Sequence, residues 1–565
     1  MVIRNASHKN RLFIIPEGKR RIFAYLLTLV LVGLILAGLL VAASSHEMGP
    51  TTITETTVTS NKLMCYNVTI SDTLGFGDTV LEEGSLSVVA DYVVFTNGTT
   101  VYLRNGTTGA IDWSSANATA LIQAGIDNMT DGGRIHLMAG AYSLDSSIVP
   151  KNGTWISGAG AYFKGDGTTP GGTALCLANG ADCDLIDSED TANRNIKITD
   201  LHLYGNMANQ GSNTLAGIRI YAARFCTIQN VQIHEINGTG IIIGDVGGGG
   251  TGYWNKIANV HIHRCDSADA SYGYGYYDDG PDENVLTNVV IVCKSGSDDS
   301  HGFLLGAGLD QLSNCWVVGG DVAYKLSDDD NMLSNCGSDV ARDQALKILD
   351  TSQHNTISGF YAYFANYDAG TKTNAIEVDG DYNVMSDIHV YTTSTRCYYG
   401  IGFTATSSWN TLTNFYIEKA EVGLGLNGGY NTASQGAIYD TDYRCIEIKG
   451  EQCSVSHVTM DTRWQGITVD NGDDAKVEDC FIDSHGGDTG IHLNDGDDVV
   501  IQNNRIRGAG SPIDADRAAA VRPMIMGNNW EGCSANASIA AATTPRITCN
   551  IATNGDWWST EDNPS

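Results

Sequence analysis

From about Asn195 to Gly510 the apolar positions fall in short alternating bursts that recur every ~20 to 30 residues, the period of a solenoid. Units such as "CTIQNVQIHE", "NKIANVHIHR", "NVLTNVVIVC", "NTISGFYAYF", "NTLTNFYIEK" and "AKVEDCFIDS" share one order: an apolar residue, any residue, usually Asn or Asp, then alternation. A second strand of the form G-I-x-I comes after it in each, as at Gly240, Gly302, Gly466 and Gly490. Strands this short, with turns at every coil and no helices between them, bury their apolar positions only if the coils stack. Ile198, Ile228, Ile257, Leu286, Leu312, Leu333, Ile357, Met385, Leu412, Val455, Val477 and Ile501 would then lie above one another at the ~4.8 Å strand spacing. Two residues on, the column Asp200, Asn230, Asn259, Asn288, Asn314, Asn335, Asp387, Asn414, Asp479 and Asn503 predicts a ladder at the bend between two sheets. Asn accepts the left-handed backbone of such a corner, and its amide can bond the rungs above and below.

The same patterning divides the rest of the chain. Residues 22–44 hold an apolar run long enough, at ~20 residues, to cross a bilayer, and the basic segment 1–21 before it would stay in the cytoplasm. A cleaved signal peptide is the competing reading of that run, and either one exports the remainder of the chain. Residues 45–62 read as a Thr-rich stalk, and 63–113 as a small β-rich module with N-G turns. "SANATALIQAGIDNM" at 115–129 predicts an amphipathic helix, which would cap the solenoid of 114–510. From Ser511 the repeat fades into a C-terminal cap and tail, 511–565. The expected fold class is all-β, a parallel β-helix of about 13 coils.

The helix "ATALIQAGID", the "DGGRIHLMAGAY" after it and the stacked coils resemble the right-handed parallel β-helix of the pectate lyase-like superfamily, which includes polysaccharide lyases, polygalacturonase-type hydrolases and phage tailspikes. The resemblance runs from about Ser114 to Gly510 and implies a fold rather than a reaction. Polygalacturonase-type enzymes carry N-T-D, D-D, G-H-G and R-I-K signatures; this chain has "DSHGG" at Asp483 and "RIR" at Arg505 but neither N-T-D nor G-H-G. The R-x-P-x-x-R signature of pectate lyases is also missing, so no catalytic residue carries over.

Composition narrows the partners. The formal charge is −32, which repels a phosphate backbone and excludes nucleic acid as the expected partner. The chain has 14 Cys and no C-x-x-C, which disfavours a zinc–cysteine domain; the close pairs Cys176 with Cys183, Cys445 with Cys453 and Cys533 with Cys549 are the expected disulfides of an exported protein. Cys315 and Cys336 hold the same place in neighbouring units and would either pair or form a thiol ladder. Sequons such as those at Asn97, Asn105 and Asn237 are compatible with glycosylation.

"HIHRC" from His261 asks whether a metal is bound. In the repeat frame His261 and His263 point outward, sharing columns with His202 and His234, and a solvated histidine patch is the expectation. Farther along, the His263 column continues as Tyr363, Tyr391, Glu418, Tyr439, Asp461, Asp483 and Arg507, with Tyr361, His389, Tyr416 and Phe481 beside it. Aromatic faces on a groove suit the apolar C–H surfaces of sugar rings. Asp461 and Asp483 would stand ~5 Å apart on adjacent coils, the separation of a retaining glycosidase pair, or would recruit a cation such as Ca2+. With them, His485, Glu447, Arg463 and His492 complete the candidate catalytic set, and Trp464, Tyr439, Tyr416, Tyr391, Asp488 and Glu418 the candidate substrate contacts.

The sequence thus leads to two function classes. The first is a cell-surface β-helix, tethered through residues 22–43, that binds polysaccharide or a surface glycan and could cleave it as a glycosidase or lyase without a required cofactor. The second is a non-catalytic adhesin, coat or tailspike-like fibre, for which a homotrimer would be the telling assembly.

Overall fold

The computed structural model describes residues 90–558 apart from 164–169, 189–192, 245–251, 270, 281–282, 295–299, 365–372, 393–396, 487, 516–520, 536, 539–544, 549 and 553–556, together with two short strands, Leu74–Phe76 and Thr79–Leu81. The apolar run at 22–43, the stalk and Cys549 lie outside the described residues. Among the described residues no helix is long and apolar enough to cross a membrane.

The chain winds as a parallel β-solenoid of about 15 turns. Each full rung contributes three strand segments. The first wall carries the expected column: Ile198 pairs with Ile228, Ile228 with Ile257, Ile257 with Leu286 and Leu286 with Leu312, and so on to Leu412, all buried. Two observations account for the turns beyond 13. Ala433 and Gln435 occupy a rung between Leu412 and Val455 whose small core residue hides it from a search for aliphatic columns. Pairing also continues past Gly510, through Met524–Met526 to Arg546–Thr548.

At the first bend the expected left-handed column is present, with φ of 57° at Asn230, 54° at Asn259 and 55° at Asn288. The Asn230 amide donates to Asp200 at 3.0 Å, Asn259 to Asn230 at 3.2 Å and Asn288 to Asn259 at 3.1 Å. The second wall then presents Ile233, Ile262, Ile291 and Val317 inward. After a second turn the third wall stacks Ile241, Tyr276, Phe303 and Tyr324, with the Phe303 and Tyr324 rings 5.0 Å apart and nearly parallel. The glycine of G-I-x-I is a spacing device here. A Cβ on Gly240 would lie 2.7 Å from Ile262 Cγ2, and one on Gly466 2.7 Å from Ile482 Cγ2, so its absence lets the second-wall branched side chains fill the bore.

A second ladder runs inside the bore, at the corner where the third wall returns to the first. Asn255, Asn284, Asp310, Asn331, Asn355, Asn383, Asn410 and Asn431 are fully buried. Each receives the backbone N–H of the rung before it: Asn331 N–H donates to the Asn355 side chain at 2.9 Å, Asn355 to Asn383 at 2.9 Å, Asn383 to Asn410 at 2.7 Å. Backbone groups buried at a corner have no sheet partner, and an unmade hydrogen bond there costs about 1 to 3 kcal/mol, so each rung needs this side chain. Near the C-terminal end Asn504, Asn528 and Asn550 use the same device at the other corner, the first bend, where Asn504 follows Asn503 and Asn528 follows Gly527. The residue before each ladder position turns the chain with positive φ even when it is aromatic, as at Tyr382, Trp409 and Tyr430. Stacking offsets that cost: Trp409 and Tyr430 lie 4.1 Å apart and within 13° of parallel.

An 11-residue helix, α1 (Ala118–Asn128), packs Leu121, Ile122 and Ile126 against the first strands; Asn117 caps it by accepting from Ala120 N–H at 2.9 Å. The strands Tyr92–Thr96, Val101–Asn105 and Ile111–Ser115 form an antiparallel meander, and the first of them pairs in parallel with Gly133–Leu137.

The disulfide expectation is corrected. All cysteines among the described residues are thiols. Cys453 takes the place of an inner-ladder asparagine and donates to the Gly428 carbonyl at 3.1 Å, whereas Cys445 lies on the third wall beside Thr441, so the two never face each other. Cys176 and Cys183 likewise stay unbridged, and Cys315 and Cys336 form the thiol ladder, each donating to backbone carbonyls.

The inner ladder has one acidic rung. Asp310 stands where its neighbours have Asn, and the buried carboxyl of Asp278 beside it is pushed well above the ordinary range by burial and by the Asp310 charge. A carboxyl whose pKa is raised on folding contributes its full stability only below its unfolded value, about 4, and loses it as pH climbs toward the folded value. Asp310→Asn is therefore expected to raise the thermal midpoint, by an amount that grows as pH rises above the ordinary carboxylate range; thermal melts from acid to alkaline pH that show no gain at any pH would contradict the pairing.

Candidate functional site

The outer face of the second wall carries the aromatic stretch. Register places Tyr361, His389, Tyr416 and Ala437 in one outward column and Tyr363, Tyr391, Glu418 and Tyr439 in the next. Alternation along each strand puts Val390 and Ile417 in the core and their neighbours outside. Tyr363 and Tyr391 stack at 5.5 Å, 7° from parallel, while His389 meets Tyr361 at 5.0 Å and Tyr416 at 4.7 Å edge to face. The rings are tied by polar contacts. Tyr416 Oη donates to Glu418 at 2.9 Å, and Lys419 Nζ donates to Tyr391 Oη at 2.8 Å while lying 3.7 Å from Glu418. Burial, then the Glu418 carboxylate, pushes the Tyr416 phenol up to about 12; burial holds the His389 imidazole below its ordinary value.

Ala437 interrupts the ring column, and the space it leaves is a shallow groove of about 380 Å³ lined by Asp387, His389, Asn414, Tyr416, Gln435 and Ala437. Beneath it Gly436 makes room for the inward Phe415 ring, whose Cζ would sit 2.2 Å from a Cβ there. Of the sequence-predicted contacts, Tyr391, Tyr416, Glu418 and Tyr439 come together on this face. Lys419, Asp387 and Gln435 are additions, and Gln435 belongs to the rung that the aliphatic search passes over.

The six catalytic candidates divide between two walls. Asp461 and Asp483 are register partners on the second wall, as expected, but each has its own basic partner. Arg507 forks onto both oxygens of Asp483 and holds its carboxyl below the ordinary range, while His485 Nε2 lies 3.1 Å from Asp461. Arg463 reaches Asp440 at 3.2 Å, and Trp464 stands exposed in the turn beside it, with Asp488 exposed in a later turn. Glu447 and His492 belong to the third wall instead. Glu447 is 2% exposed, held by Arg444, by Lys449 at 2.9 Å and by the Tyr399 hydroxyl; His492 lies 3.8 Å from Asp514.

The histidine patch is corrected too. His202 and His234 are buried, not solvated: the strand Ala161–Phe163 lies over His202, whose Nδ1 is 3.3 Å from the Tyr162 carbonyl, and His234 is packed between Tyr204 and His263. Burial pushes His202 down to about 4 and His234 to about 3. His234 and His263 stack at 5.0 Å, a geometry that turns ring faces rather than nitrogens toward each other. Among the described residues no group of three or more His, Cys, Asp or Glu is arranged to hold a metal ion.

Walls, bends and parallel register together define a right-handed parallel β-helix with an aromatic outer face. Residues 399–554 match the family model described as a right-handed beta helix region. Among solved structures, the N-terminal fragment of bacteriophage Phi29 gene product 12 is similar at 11% identity and TM-score 0.50, over 79% of this chain and 94% of that one. A tailspike protein mutant of E. coli bacteriophage HK620, in complex with pentasaccharide, superposes more loosely (10% identity, TM-score 0.44, 77% and 76% of the two chains). The Azotobacter vinelandii mannuronan C-5 epimerase AlgE6 A-module does so at 13% identity and TM-score 0.26, over 77% and 95%. No curated protein matches the chain.

The buried Glu447 cluster behaves as a structural ion group. Glu447→Gln is expected to cost about 2 to 3 kcal/mol, less than a fully buried pair because Lys449 keeps contact with water. Denaturant unfolding of the variant with an unchanged midpoint would contradict this.

Proposed function

We propose that this protein binds polysaccharide along the second-wall face between Tyr361 and Tyr439. The observation that carries the reading is the groove at Ala437, where an edge-to-face aromatic row ends beside a carboxylate and an amide. Ring faces take the C–H surfaces of a sugar, and Asp387, Gln435 and Glu418 take its hydroxyls. A rung repeat lets successive sugars meet successive rungs, which suits a polymer better than a small molecule. The reading puts the protein outside the cell, with residues 22–43 as its tether or signal.

Binding without cleavage is the better-supported form. General acid catalysis wants a carboxyl raised toward neutrality, and Asp483 is lowered by Arg507. Glu447 and His492, on another wall, are engaged elsewhere. Cleavage by the Asp461 and Asp483 pair is the second reading, resting on their adjacent register.

Tyr391→Ala and Tyr416→Ala are each expected to weaken binding of a recognised glycan by about tenfold or more, since a stacked aromatic contact is worth roughly 1 to 2 kcal/mol. Asp461→Asn with Asp483→Asn is expected to leave binding intact. Calorimetric titration checks both. Retained affinity in the tyrosine variants contradicts the site, and release of reducing ends that the aspartate substitutions abolish favours the second reading.

A further inference from the structure

The charge pattern around the groove bears on the kind of polysaccharide that fits, if the binding reading above holds. On the second wall and the turn after it, the cations among the described residues from Tyr391 to Arg507 are already committed. Lys419 lies 3.7 Å from Glu418 and donates to Tyr391, Arg463 lies 3.2 Å from Asp440, and Arg507 forks onto Asp483. On the same strand as Arg507, Arg505 reaches Glu531 at 3.1 Å. The histidines follow the same pattern: His485 lies 3.1 Å from Asp461 and His457 4.0 Å from Asp479, while His389 in the groove meets the Tyr361 and Tyr416 rings edge to face.

Carboxylates are in surplus on the same face. Asp387 lines the groove, and among the described residues its side-chain partner is the Asn414 amide. Asp339 occupies the column of Tyr363 and Tyr391, one rung before Tyr363. The whole chain adds a formal charge of −32. Among the described residues of the second wall, a polymer with a carboxylate on every sugar would find no uncommitted guanidinium or ammonium, and would face Asp387 and Glu418 directly; Lys372 and Arg396 lie outside the described residues.

We infer that the aromatic face takes uncharged polysaccharides and rejects polyuronates, with Asp387 as the residue that sets the distinction. Its carboxylate accepts a sugar hydroxyl and repels a sugar carboxylate, while the Gln435 amide, on the next rung but one, can serve either oxygen or nitrogen on the sugar. Rejection by like charge is stronger at low ionic strength and fades as salt shortens the screening length.

The test is binding of the full chain to two immobilised panels. One holds neutral glucans, mannans, galactans and N-acetylated amino-sugar polymers; the other holds polygalacturonate and alginate, with a carboxyl-reduced polygalacturonate as the matched neutral control. Neutral polymers are expected to bind at least about tenfold more tightly at low salt, with the gap narrowing as salt rises. Asp387→Asn is expected to narrow it at low salt by raising polyuronate affinity, and Asp339→Asn, outside the groove, to narrow it less with neutral binding unchanged. Tighter binding of a polyuronate that is lost in Tyr391→Ala overturns the charge inference and leaves the binding reading standing. Absence of binding to both panels overturns the two together.

Discussion

A stacked coil has to satisfy buried backbone groups at its corners, and in this protein the asparagine side chains inside the bore meet that demand. Sheets cover most of each rung, since every strand amide finds the rung above or below. The return corner between third and first walls has no such partner, and the column from Asn255 to Asn431 supplies one acceptor per turn. Aliphatic columns fill the bore, but apolar contact alone tolerates slippage between rungs. A side-chain carbonyl that must meet one particular N–H does not, and so it fixes the register on which the outer face depends.

Register turns sequence period into spatial columns on the outside as well. Tyr363, Tyr391, Glu418 and Tyr439 are 21 to 28 residues apart in sequence and successive on the surface. A groove then arises from one small residue, Ala437, in a column of rings. The same register that brings Asp461 beside Asp483 also brings Arg507 to Asp483 on the next rung, where it neutralises one carboxylate of the pair. The aromatic rungs lie one to four positions before Asp461.

How much of this was legible in the sequence depended on whether a residue's role arises from its period. The Ile228 to Leu286 column, the outer Asn corner and the outward aromatic column all recur at fixed spacing and were readable. The rung of Ala433 and Gln435 was not, because a small core residue beside Leu412 and Val455 breaks the aliphatic signal. The inner ladder stood in plain view as the first letter of "NKIANVHIHR" and "NTISGFYAYF", yet a polar residue before a strand usually means a turn, and only three-dimensional winding shows that this one points inward. Burial of His202 depends on Ala161–Phe163, some 40 residues earlier, and Asp483 is neutralised by Arg507 from the next rung. Such contacts between distant segments have no local sequence signature. The cysteine reading failed for the same reason: closeness along the chain of Cys445 and Cys453 says nothing about which wall each occupies.

The most direct measurement is hydrogen exchange at single-residue resolution on the full chain carrying Asn383→Ala. In the intact ladder Asn355 N–H donates to the Asn383 side chain, and residue 383 donates in turn to Asn410. The account predicts a directional effect, with the Asn355 amide losing protection while the amides of residues 383 and 410 stay slow. Unchanged exchange at Asn355, or loss spread equally to both sides, would contradict the inner ladder as the element that holds the rungs in register.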